Sequence, residues 1–317
     1  MKHIFIHNPA AGKDSNTAVA ALQQQMTAYD GQLTYEFYST VTPGDATTYV
    51  RARCEAEPEE ALRFYACGGD GTVNETVNGA VGFDHAQVAI LPIGTGNDFV
   101  RNFSPDAPFL DVEAQLDGQP IAVDLLKYND RYSINMLNIG FDCEVVKKTA
   151  LLKRHPLVHE KMAYVAGILS TLIKKPGIHL SCRVDGDDLK RKTLLLAAFA
   201  NGSFYGGGFK PTPYASVSDG LIDACFIKDV SRTRFVSLIG LYKKGTHVGP
   251  RRTRDILEYI KCREIDILFD TPQSICVDGE IELTSSVHME IVPQKLMLSL
   301  PRGVMPQPEP EAMPLLS

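Results

Sequence analysis

The chain has 317 residues, of which 44% are hydrophobic and 22% are charged, and its formal net charge is −6. This composition excludes an intrinsically disordered protein, and the length suits one large or two ordinary domains. The acidic excess argues against a general nucleic-acid-binding protein, which is usually basic. The charge is unevenly divided, because residues 1–128 hold 7 Lys and Arg against 17 Asp and Glu, a net of −10, and the remainder carries +4.

The first part of the chain alternates between predicted strands and predicted helices. Short apolar runs predict strands at 4–7, 33–38, 62–66 and 88–91, and helical patterns lie between them at about 15–27, 45–55 and 73–80. Strands that alternate with helices are typical of βαβ crossovers and a parallel sheet. We therefore expect a Rossmann-like open α/β domain over residues 1–125.

The second part of the chain has a different pattern. It predicts an antiparallel β-sandwich domain over residues 126–300, with inserted helices at 160–174 and 233–243. The strands are expected at 121–127, 132–139, 178–184, 193–200, 221–227, 264–269, 274–277 and 288–292. Residues 301–317 are proline-rich and are expected to be disordered or to pack back on the N-terminal domain.

The cysteines and the apolar segments bear on the compartment. Seven scattered cysteines without a Cys-x-x-Cys pair are typical of reduced, buried thiols. The first residues form a predicted strand and not a signal peptide, and the longest near-apolar stretch, 162–173, is too short to span a bilayer. We expect a cytoplasmic protein, with peripheral membrane association left open.

Three predicted strands end in unusual turns. Residues 8–13 read Asn-Pro-Ala-Ala-Gly-Lys, residues 68–75 read Gly-Gly-Asp-Gly-Thr-Val-Asn-Glu, and residues 92–99 read Pro-Ile-Gly-Thr-Gly-Asn-Asp-Phe. Ligands of open α/β sheets bind beyond the carboxyl ends of the strands, and glycine lets the backbone approach a phosphate closely. None of the turns is a standard nucleotide fingerprint. Each also has a structural interpretation: Thr72 and Glu75 form a capping box, and Gly12 and Gly94 suit ordinary turns. Together, the three turns favour a ligand site.

The sequence resembles the diacylglycerol kinase catalytic-domain family of soluble bacterial lipid kinases, whose relatives are the sphingosine and ceramide kinases. The resemblance rests on the three turns and extends to 135–140, 205–208, 218–223 and Val-Asp-Gly-Glu at 277–280. NAD kinases share Gly-Gly-Asp-Gly-Thr but lack the Gly-Thr-Gly-Asn-Asp-Phe turn at this position.

The resemblance implies roles for particular residues. ATP would be held by Asn8, Pro9, Ala10, Ala11, Gly12, Thr40, Gly68, Gly69, Asp70, Gly71, Thr72, Val73, Asn74, Glu75 and Thr95. Catalytic Mg²⁺ would be held, partly through water, by Asp70, Asp98 and Asp124, although Asp124 equally suits a buried hydrogen-bond acceptor. A structural Mg²⁺ site would use the Asp219 carboxylate and the backbone carbonyls of Ser216 and Leu221, where the alternative is a plain turn.

The Asp278-Gly279 pair between apolar residues predicts a type I′ hairpin. In the family this motif supplies the proton acceptor, for which Glu280 is favoured and Asp278 is the close alternative. A hairpin and a catalytic base are compatible, because a rigid turn fixes an acid in place.

The resemblance thus implies an ATP- and Mg²⁺-dependent kinase that phosphorylates a hydroxyl of diacylglycerol or a related lipid at a membrane surface. Alternatives are another acceptor (phosphatidylglycerol, a sphingoid base or, least favoured, NAD) and a catalytically silent nucleotide- or lipid-binding protein. Two basic clusters are candidates for contact with anionic membrane, and a homodimer is left open. The clusters consist of Lys147, Lys148, Lys153, Arg154 and Lys161, and of Lys243, Lys244, Arg251, Arg252 and Arg254.

Overall fold

A computed structural model describes residues 1–12, 14–153, 166–172, 177–188 and 191–307. The chain divides into two compact units. The N-terminal unit consists of Met1–Leu125, Val217–Asp219 and Val292–Pro308, and the C-terminal unit contains Leu126–Ser216 and Gly220–Ile291.

The N-terminal unit is an open α/β sheet in which every strand pair of the central sheet is parallel. The strands are β1 (Lys2–His7), β2 (Thr34–Ser39), β3 (Leu62–Gly68) and β4 (Ala86–Pro92). The helices are α1 (Ser15–Met26), α2 (Asp45–Ala56), α3 (Asp70–Ala80) and the short α4 (Val112–Leu116). The predicted Rossmann-like architecture of this part is confirmed.

The strand order β2-β1-β3-β4 creates a switch point in the sheet. The chain leaves β1 toward β2 on one side and returns to β3 on the other side. The strands are apolar enough to be buried on both faces: all seven residues of β3 are buried, and Phe5 stacks on Tyr65 at 4.5 Å between ring centroids. The carboxyl ends of β1 and β3 therefore lie side by side, where open α/β sheets bind their ligands.

The C-terminal unit is mostly antiparallel. Its core strands β7 (Met136–Gly140) and β8 (Ile178–Val184) each pair with both β10 (Lys192–Ala200) and β13 (Glu264–Val277), which closes the sheet around an apolar core. Further strands are β5 (Gln119–Tyr128), β6 (Arg131–Ser133), β9 (Asp187–Asp188), β11 (Ile222–Lys228), β12 (Leu257–Cys262) and β14 (Glu280–Leu300). The predicted β-rich second domain is confirmed.

Among the residues of the C-terminal unit that the structure describes, three helices accompany the strands. They are α5 (Phe141–Lys153), α6 (166–172) and α7 (Arg232–Lys244). Helix α7 is capped at its N-terminus by Ser231, whose hydroxyl accepts from the Arg234 amide. Its C-terminal cap is Gly245, which has the left-handed conformation. Of the predicted helix 160–174, residues 160–165 and 173–174 lie outside the described residues. Within the part of the chain that the structure describes, every helix is too short or too polar to cross a membrane.

Several elements differ from the sequence pattern in extent. The predicted strand 132–139 is interrupted at residues 134 and 135, and the predicted strands 264–269 and 274–277 form one irregular strand, β13. Strand β14 is much longer than the predicted 288–292, and its last residues pair in parallel with β4 through Leu298 and Val88. Beyond it, the Gln307 amide donates to the Asn102 carbonyl, so residues 301–307 pack within the N-terminal unit.

Candidate active site

The turns that follow β1 and β3 are joined by side-chain hydrogen bonds. The Asn8 side chain accepts from the Ala10 amide at 2.9 Å and donates to the Thr72 hydroxyl at 3.1 Å. Helix α3 begins directly after Gly68 and Gly69, and Thr72 is in its first turn. The first two glycine-rich turns are therefore held together at the switch point of the sheet.

The turns after β3 and β4 touch through glycines. The Gly94 amide donates to the Gly68 carbonyl at 3.0 Å, and a Cβ on Gly94 would overlap the Cα of Gly69 and lie 2.6 Å from its nitrogen. A Cβ on Gly68 would likewise overlap the Thr72 side chain. The N-cap position of α3 is Gly69, which has no side chain to bond to the first amides of the helix, where the positive end of the helix dipole lies. This geometry suits a phosphate group.

Two carboxylates lie beside this helix terminus. The Asp70 carboxylate accepts from the Asp98 amide at 2.9 Å and from the Phe99 amide at 3.3 Å. Asp98 is 6% exposed and pairs with Arg101 at 3.2 Å. A Cβ on Gly96 would lie 2.8 Å from an Asp70 oxygen. The same Cβ would lie 4.0 Å from an Asp98 oxygen, so both carboxylates lie near Gly96, and carboxylate oxygens are ligands that suit Mg²⁺.

The remaining residues predicted for ATP surround these turns. The Thr40 amide donates to the His7 carbonyl at 2.8 Å, which places Thr40 beside the end of β1. A Cβ on Gly12 would lie 3.9 Å from a Thr95 methyl group, so the first and third turns also meet. Pro9 and Ala10 are exposed on the first turn, and Ala11 is half-buried.

Val73, Asn74 and Glu75 are placed differently from Gly68–Thr72. The Val73 amide already bonds to the Gly69 carbonyl, and Val73 and Asn74 are buried against the sheet. The Glu75 carboxylate accepts from the amides of Gly44 and Ala46 at 2.8 and 3.2 Å, and these amides open helix α2. Glu75 belongs to α3 but caps α2. The capping-box interpretation, in which Glu75 caps its own helix, is therefore wrong.

Asp124 is completely buried, and the structure brings it next to a strand of the same unit. Its carboxylate accepts from the Gln294 amide at 2.8 Å, and its own amide donates to the Val217 carbonyl at 2.8 Å. These bonds match the alternative of a buried acceptor. A role in binding Mg²⁺ stays a prediction.

In the C-terminal unit, Asp278 and Gly279 form the predicted hairpin between β13 and β14, with positive φ angles of 47° and 92°. The Asp278 carboxylate accepts from the Ser133 hydroxyl at 2.8 Å and from the amides of Ile134, Asn135 and Met136 at 2.9 to 3.3 Å. These bonds explain why the predicted strand 132–139 is interrupted. Both oxygens of the buried Asp278 carboxylate are therefore already engaged by donors of the chain.

Glu280 lies two residues further and has a different environment. Its side chain is 45% exposed and pairs with the Arg131 guanidinium at 3.7 Å. Arg131 also pairs with Glu282 on the same strand. Of the two candidate bases, Glu280 is therefore the one whose carboxylate is accessible to a ligand.

The predicted structural metal residues Ser216, Asp219 and Leu221 lie in the turn before β11. Gly220 has a φ of 70°, which allows the chain to reverse direction there. Asp219 and Leu221 are both half-buried and both have polar partners. The role of this turn as a metal site stays a prediction.

One cluster was not found by sequence reasoning. Glu264, Asp266 and His288 bring ligand atoms within 4.8 Å of one another on the β13–β14 ladder, where His288 bonds to Asp266 at 2.8 Å. The three side chains are exposed or half-buried, and none belongs to the predicted site. Their proximity depends on the pairing of Asp266 with His288, which residue spacing does not reveal.

The basic clusters contain both engaged and exposed side chains. Lys147 pairs with Glu144 at 2.9 Å, and the Lys243 ammonium lies 5.6 Å from the Phe209 ring centroid. Lys244 is exposed at the end of α7. Arg154 and Lys161 lie outside the described residues.

Comparison with known proteins agrees with this architecture. Residues 2–128 match the family model described as the diacylglycerol kinase catalytic domain, and residues 135–300 match the YegS C-terminal NAD kinase beta sandwich-like domain. A protein of Staphylococcus aureus strain MRSA252 named "Putative lipid kinase SAR0780" is 24% identical over 93% of this chain and 95% of its own length.

Solved structures show the same fold. A putative diacylglycerol kinase from Bacillus anthracis has a TM-score of 0.71 at 22% identity over 94% of this chain and 97% of its own. Yeast NADH kinase complexed with NADH has a TM-score of 0.50 at 12% identity, over 95% of this chain and 83% of its own. The chain therefore belongs to the lipid kinase family in which a diacylglycerol kinase catalytic domain is followed by a YegS-type β-sandwich domain.

Proposed function

We propose that this protein transfers the γ-phosphate of ATP to a hydroxyl group of diacylglycerol or a closely related lipid. The observation that carries the proposal is the contact of Gly94 with Gly69 at the N-terminus of α3, where the N-cap residue is a glycine. A Cβ on Gly94 would overlap Gly69, so backbone and not side chain occupies the place where the two turns meet. Such a terminus binds anions, and the family supplies the kinase class.

In this proposal the N-terminal turns hold the triphosphate. Asn8, Gly12, Gly68–Thr72 and Thr95 would contact the phosphates through amides and hydroxyls, with Thr40 at the edge. Asp70 and Asp98 would hold Mg²⁺, which neutralises charge on the transferred phosphoryl group. Asp70 is itself fixed by the Asp98 and Phe99 amides, so the two acids keep their spacing.

Glu280 is the proposed general base. Its exposed carboxylate would take the proton from the lipid hydroxyl as the phosphoryl group arrives. Asp278 would act as a positioning residue, because its bonds to residues 133–136 fix the hairpin that carries Glu280. The turn with Ser216, Asp219 and Leu221 would hold a structural Mg²⁺ through oxygen ligands.

A phospholipid acceptor such as phosphatidylglycerol is the second candidate, and Lys210 favours it. The Lys210 ammonium is half-buried, lies 5.0 Å from the Phe204 ring centroid and has no carboxylate partner among the described residues. Burial lowers the pKa of this group, so a nearby phosphate anion would stabilise its charge. The Phe204 carbonyl accepts from Asn135, whose own amide donates to Asp278.

The lipid acceptor would be taken from an anionic membrane surface. Exposed leucine and valine side chains occur on all three helices of the C-terminal unit, at Leu151, Leu169 and Val236. Lysines at 147, 148, 243 and 244 lie on two of the same helices. Apolar side chains that insert between lipids and lysines that attract anionic headgroups together favour binding to an anionic bilayer. Co-sedimentation with vesicles should rise with anionic lipid content and fall with salt; binding that ignores both would contradict this part.

The proposal is tested by incubating the protein with Mg²⁺, labelled ATP and mixed micelles of single lipids. We expect transfer to diacylglycerol or to phosphatidylglycerol and none to NAD. Calorimetry of ATP binding is run in parallel. Binding of ATP without transfer to any lipid in the panel would support a catalytically silent nucleotide-binding protein.

A further inference from the structure

The C-terminal unit contains an apolar cavity between its helices and one face of its sheet. The cavity encloses about 780 Å³ including its open mouth. Its walls include Val145 on α5, Leu196 on β10, Phe209, and Phe235, Leu238 and Ile239 on α7. An open space with a largely apolar lining is typical of sites that hold apolar ligands.

The cavity is separate from the apolar core that closes the sheet. The core cluster contains Leu137, Ile139 and Phe199, whereas the cavity belongs to a second cluster around Phe141, Leu196 and Phe235. On β7 the cavity cluster holds Met136 and the core cluster Leu137, because neighbouring residues of a strand point to opposite faces; on β10 Leu195 and Leu196 both line the cavity, at an irregularity in the strand pairing. The cavity therefore lies on the helical face of the sheet.

Two tyrosines of the cavity wall bond to its carboxyl group. The Asp142 carboxyl accepts from the Tyr242 hydroxyl at 3.1 Å and from the Tyr205 hydroxyl. Burial raises the pKa of Asp142 to about 6 and lowers the pKa of His247, the other titratable group of the wall besides these tyrosines, to about 4. His247 is therefore uncharged at pH 7, and the carboxylate of the wall is held by two tyrosine hydroxyls, so the rest of the lining suits hydrocarbon.

The cavity is connected to the hairpin through a single strand and one loop. Strand β7 begins at Met136, whose amide donates to Asp278, and ends at Gly140, directly before the cavity residues Phe141 and Asp142. A strand of this length spans roughly 14 Å at about 3.4 Å per residue. Asn135 also donates to the carbonyl of Phe204, the neighbour of the cavity residue Tyr205. An acyl chain is long enough to bridge this distance.

We propose that this cavity holds one hydrocarbon chain of the lipid acceptor and thereby selects acceptors by chain length. The inference rests on the proposed function, because it places the chain of the same lipid whose hydroxyl is presented to Glu280. The exposed Leu151, Leu169 and Val236 on the covering helices mark a membrane as the source of the chain.

The chain contains no tryptophan, which allows a direct test of occupancy. A Leu238→Trp variant places a single indole in the cavity wall, and Leu268→Trp places one on an exposed strand position of the same unit. Diacylglycerol brominated in its acyl chains is titrated into each. We expect saturable quenching with Leu238→Trp and at most weak, non-saturating quenching with Leu268→Trp. Equal quenching of both, or none in the cavity, would overturn the inference.

Chain-length selection is tested with the same substitution. Leu238→Trp should lower kcat/KM for dioleoylglycerol at least tenfold and for dioctanoylglycerol less than threefold. Leu268→Trp, at a 61% exposed position on β13 of the same unit, should leave both unchanged. An equal loss for both lipids would contradict selection by the cavity.

Two further outcomes separate this inference from the proposed function. If wild-type protein phosphorylates no lipid but the cavity indole is quenched saturably, the kinase proposal fails and the lipid-binding cavity stands. If lipids are phosphorylated without quenching, the cavity proposal fails alone. Should Leu238→Trp not fold, as judged by its thermal transition, Phe235→Trp replaces one cavity aromatic with another and takes its place in both tests.

Discussion

The candidate site of the N-terminal unit is formed mainly by backbone atoms, whereas the hairpin and the cavity of the C-terminal unit depend on side chains. Where β1, β3 and β4 end, the close contacts are between backbone atoms, as in the approach of Gly94 to Gly69. In the C-terminal unit the equivalent features are side chains, namely the Glu280 carboxylate and the apolar cavity wall. A site made of backbone atoms suits a ligand group that does not change, such as the phosphates of ATP in our proposal. Side chains differ from sequence to sequence and can therefore suit different lipid acceptors.

The largest expected effect comes from the side chain that would perform the chemistry. Glu280→Gln should lower kcat by about 10² to 10⁴-fold, because the amide no longer accepts the proton of the lipid hydroxyl. The Kd for ATP should change less than twofold, since the N-terminal turns are untouched. Steady-state kinetics measure the change in kcat, and calorimetry measures the Kd for ATP.

Glu282→Gln is the matched control for this substitution, because Glu282 is on the same strand and also pairs with Arg131. We expect kcat within about threefold of wild type. Near-normal turnover in Glu280→Gln would move the base to Asp278 and would contradict our interpretation of its hydrogen bonds.

The backbone site is tested by adding a single methyl group. Gly94→Ala would push a Cβ into Gly69 and separate the turns, so the KM for ATP should rise about 10 to 100-fold. Gly240→Ala is the control, because that glycine is on helix α7 with open space around it. There, alanine should stabilise the protein by up to about 1 kcal/mol through its helix propensity. Unchanged ATP kinetics in Gly94→Ala would rule out the backbone site.

The same contrast explains what the sequence could predict. Strands β1–β4, the glycine turns and the Asp278-Gly279 hairpin follow from local patterns, because apolar periodicity and turn chemistry act over a few residues. The pairing of Leu298 with Val88 and the bond between Tyr242 and Asp142 join distant parts of the chain. No local pattern encodes such contacts.

Glu75 shows how a local pattern misleads. The spacing Thr72-x-x-Glu75 is that of a capping box, yet the helix already begins at Asp70, so Glu75 is beyond the capping position. Its carboxylate turns instead to the amides that open α2. Likewise, the cavity was invisible in sequence, because its lining residues come from strands and helices that meet only in the folded unit.

A third, smaller effect concerns the acid in the cavity wall. The pKa of Asp142 is about 6 in the folded protein, against an ordinary value of 3.8. Its contribution to stability therefore falls as the pH rises from about 4 to 6, because the folded state holds the proton that the unfolded state has lost. Asp142→Asn removes this loss, and the variant should gain about 1–3 kcal/mol relative to wild type between pH 4 and pH 7.5.

Urea unfolding of both proteins at the two pH values measures this difference. The exposed Asp187 is the control, since Asp187→Asn should give the same difference from wild type at both pH values. A constant offset between Asp142→Asn and wild type would mean that the cavity wall does not penalise charge.

The smallest effect should distinguish the acceptors. Lys210→Gln should lower kcat/KM for phosphatidylglycerol about fivefold, the equivalent of roughly 1 kcal/mol, because a half-buried ammonium is only partly screened by water. Diacylglycerol has no phosphate, so its kcat/KM should change less than twofold. Lys244→Gln removes an exposed charge from the end of α7 and serves as the control. If both substitutions lower kcat/KM equally for both lipids, the lysines act only by attracting the membrane. A loss confined to Lys210→Gln and to phosphatidylglycerol would mean that a side chain of the C-terminal unit contacts the headgroup of the acceptor.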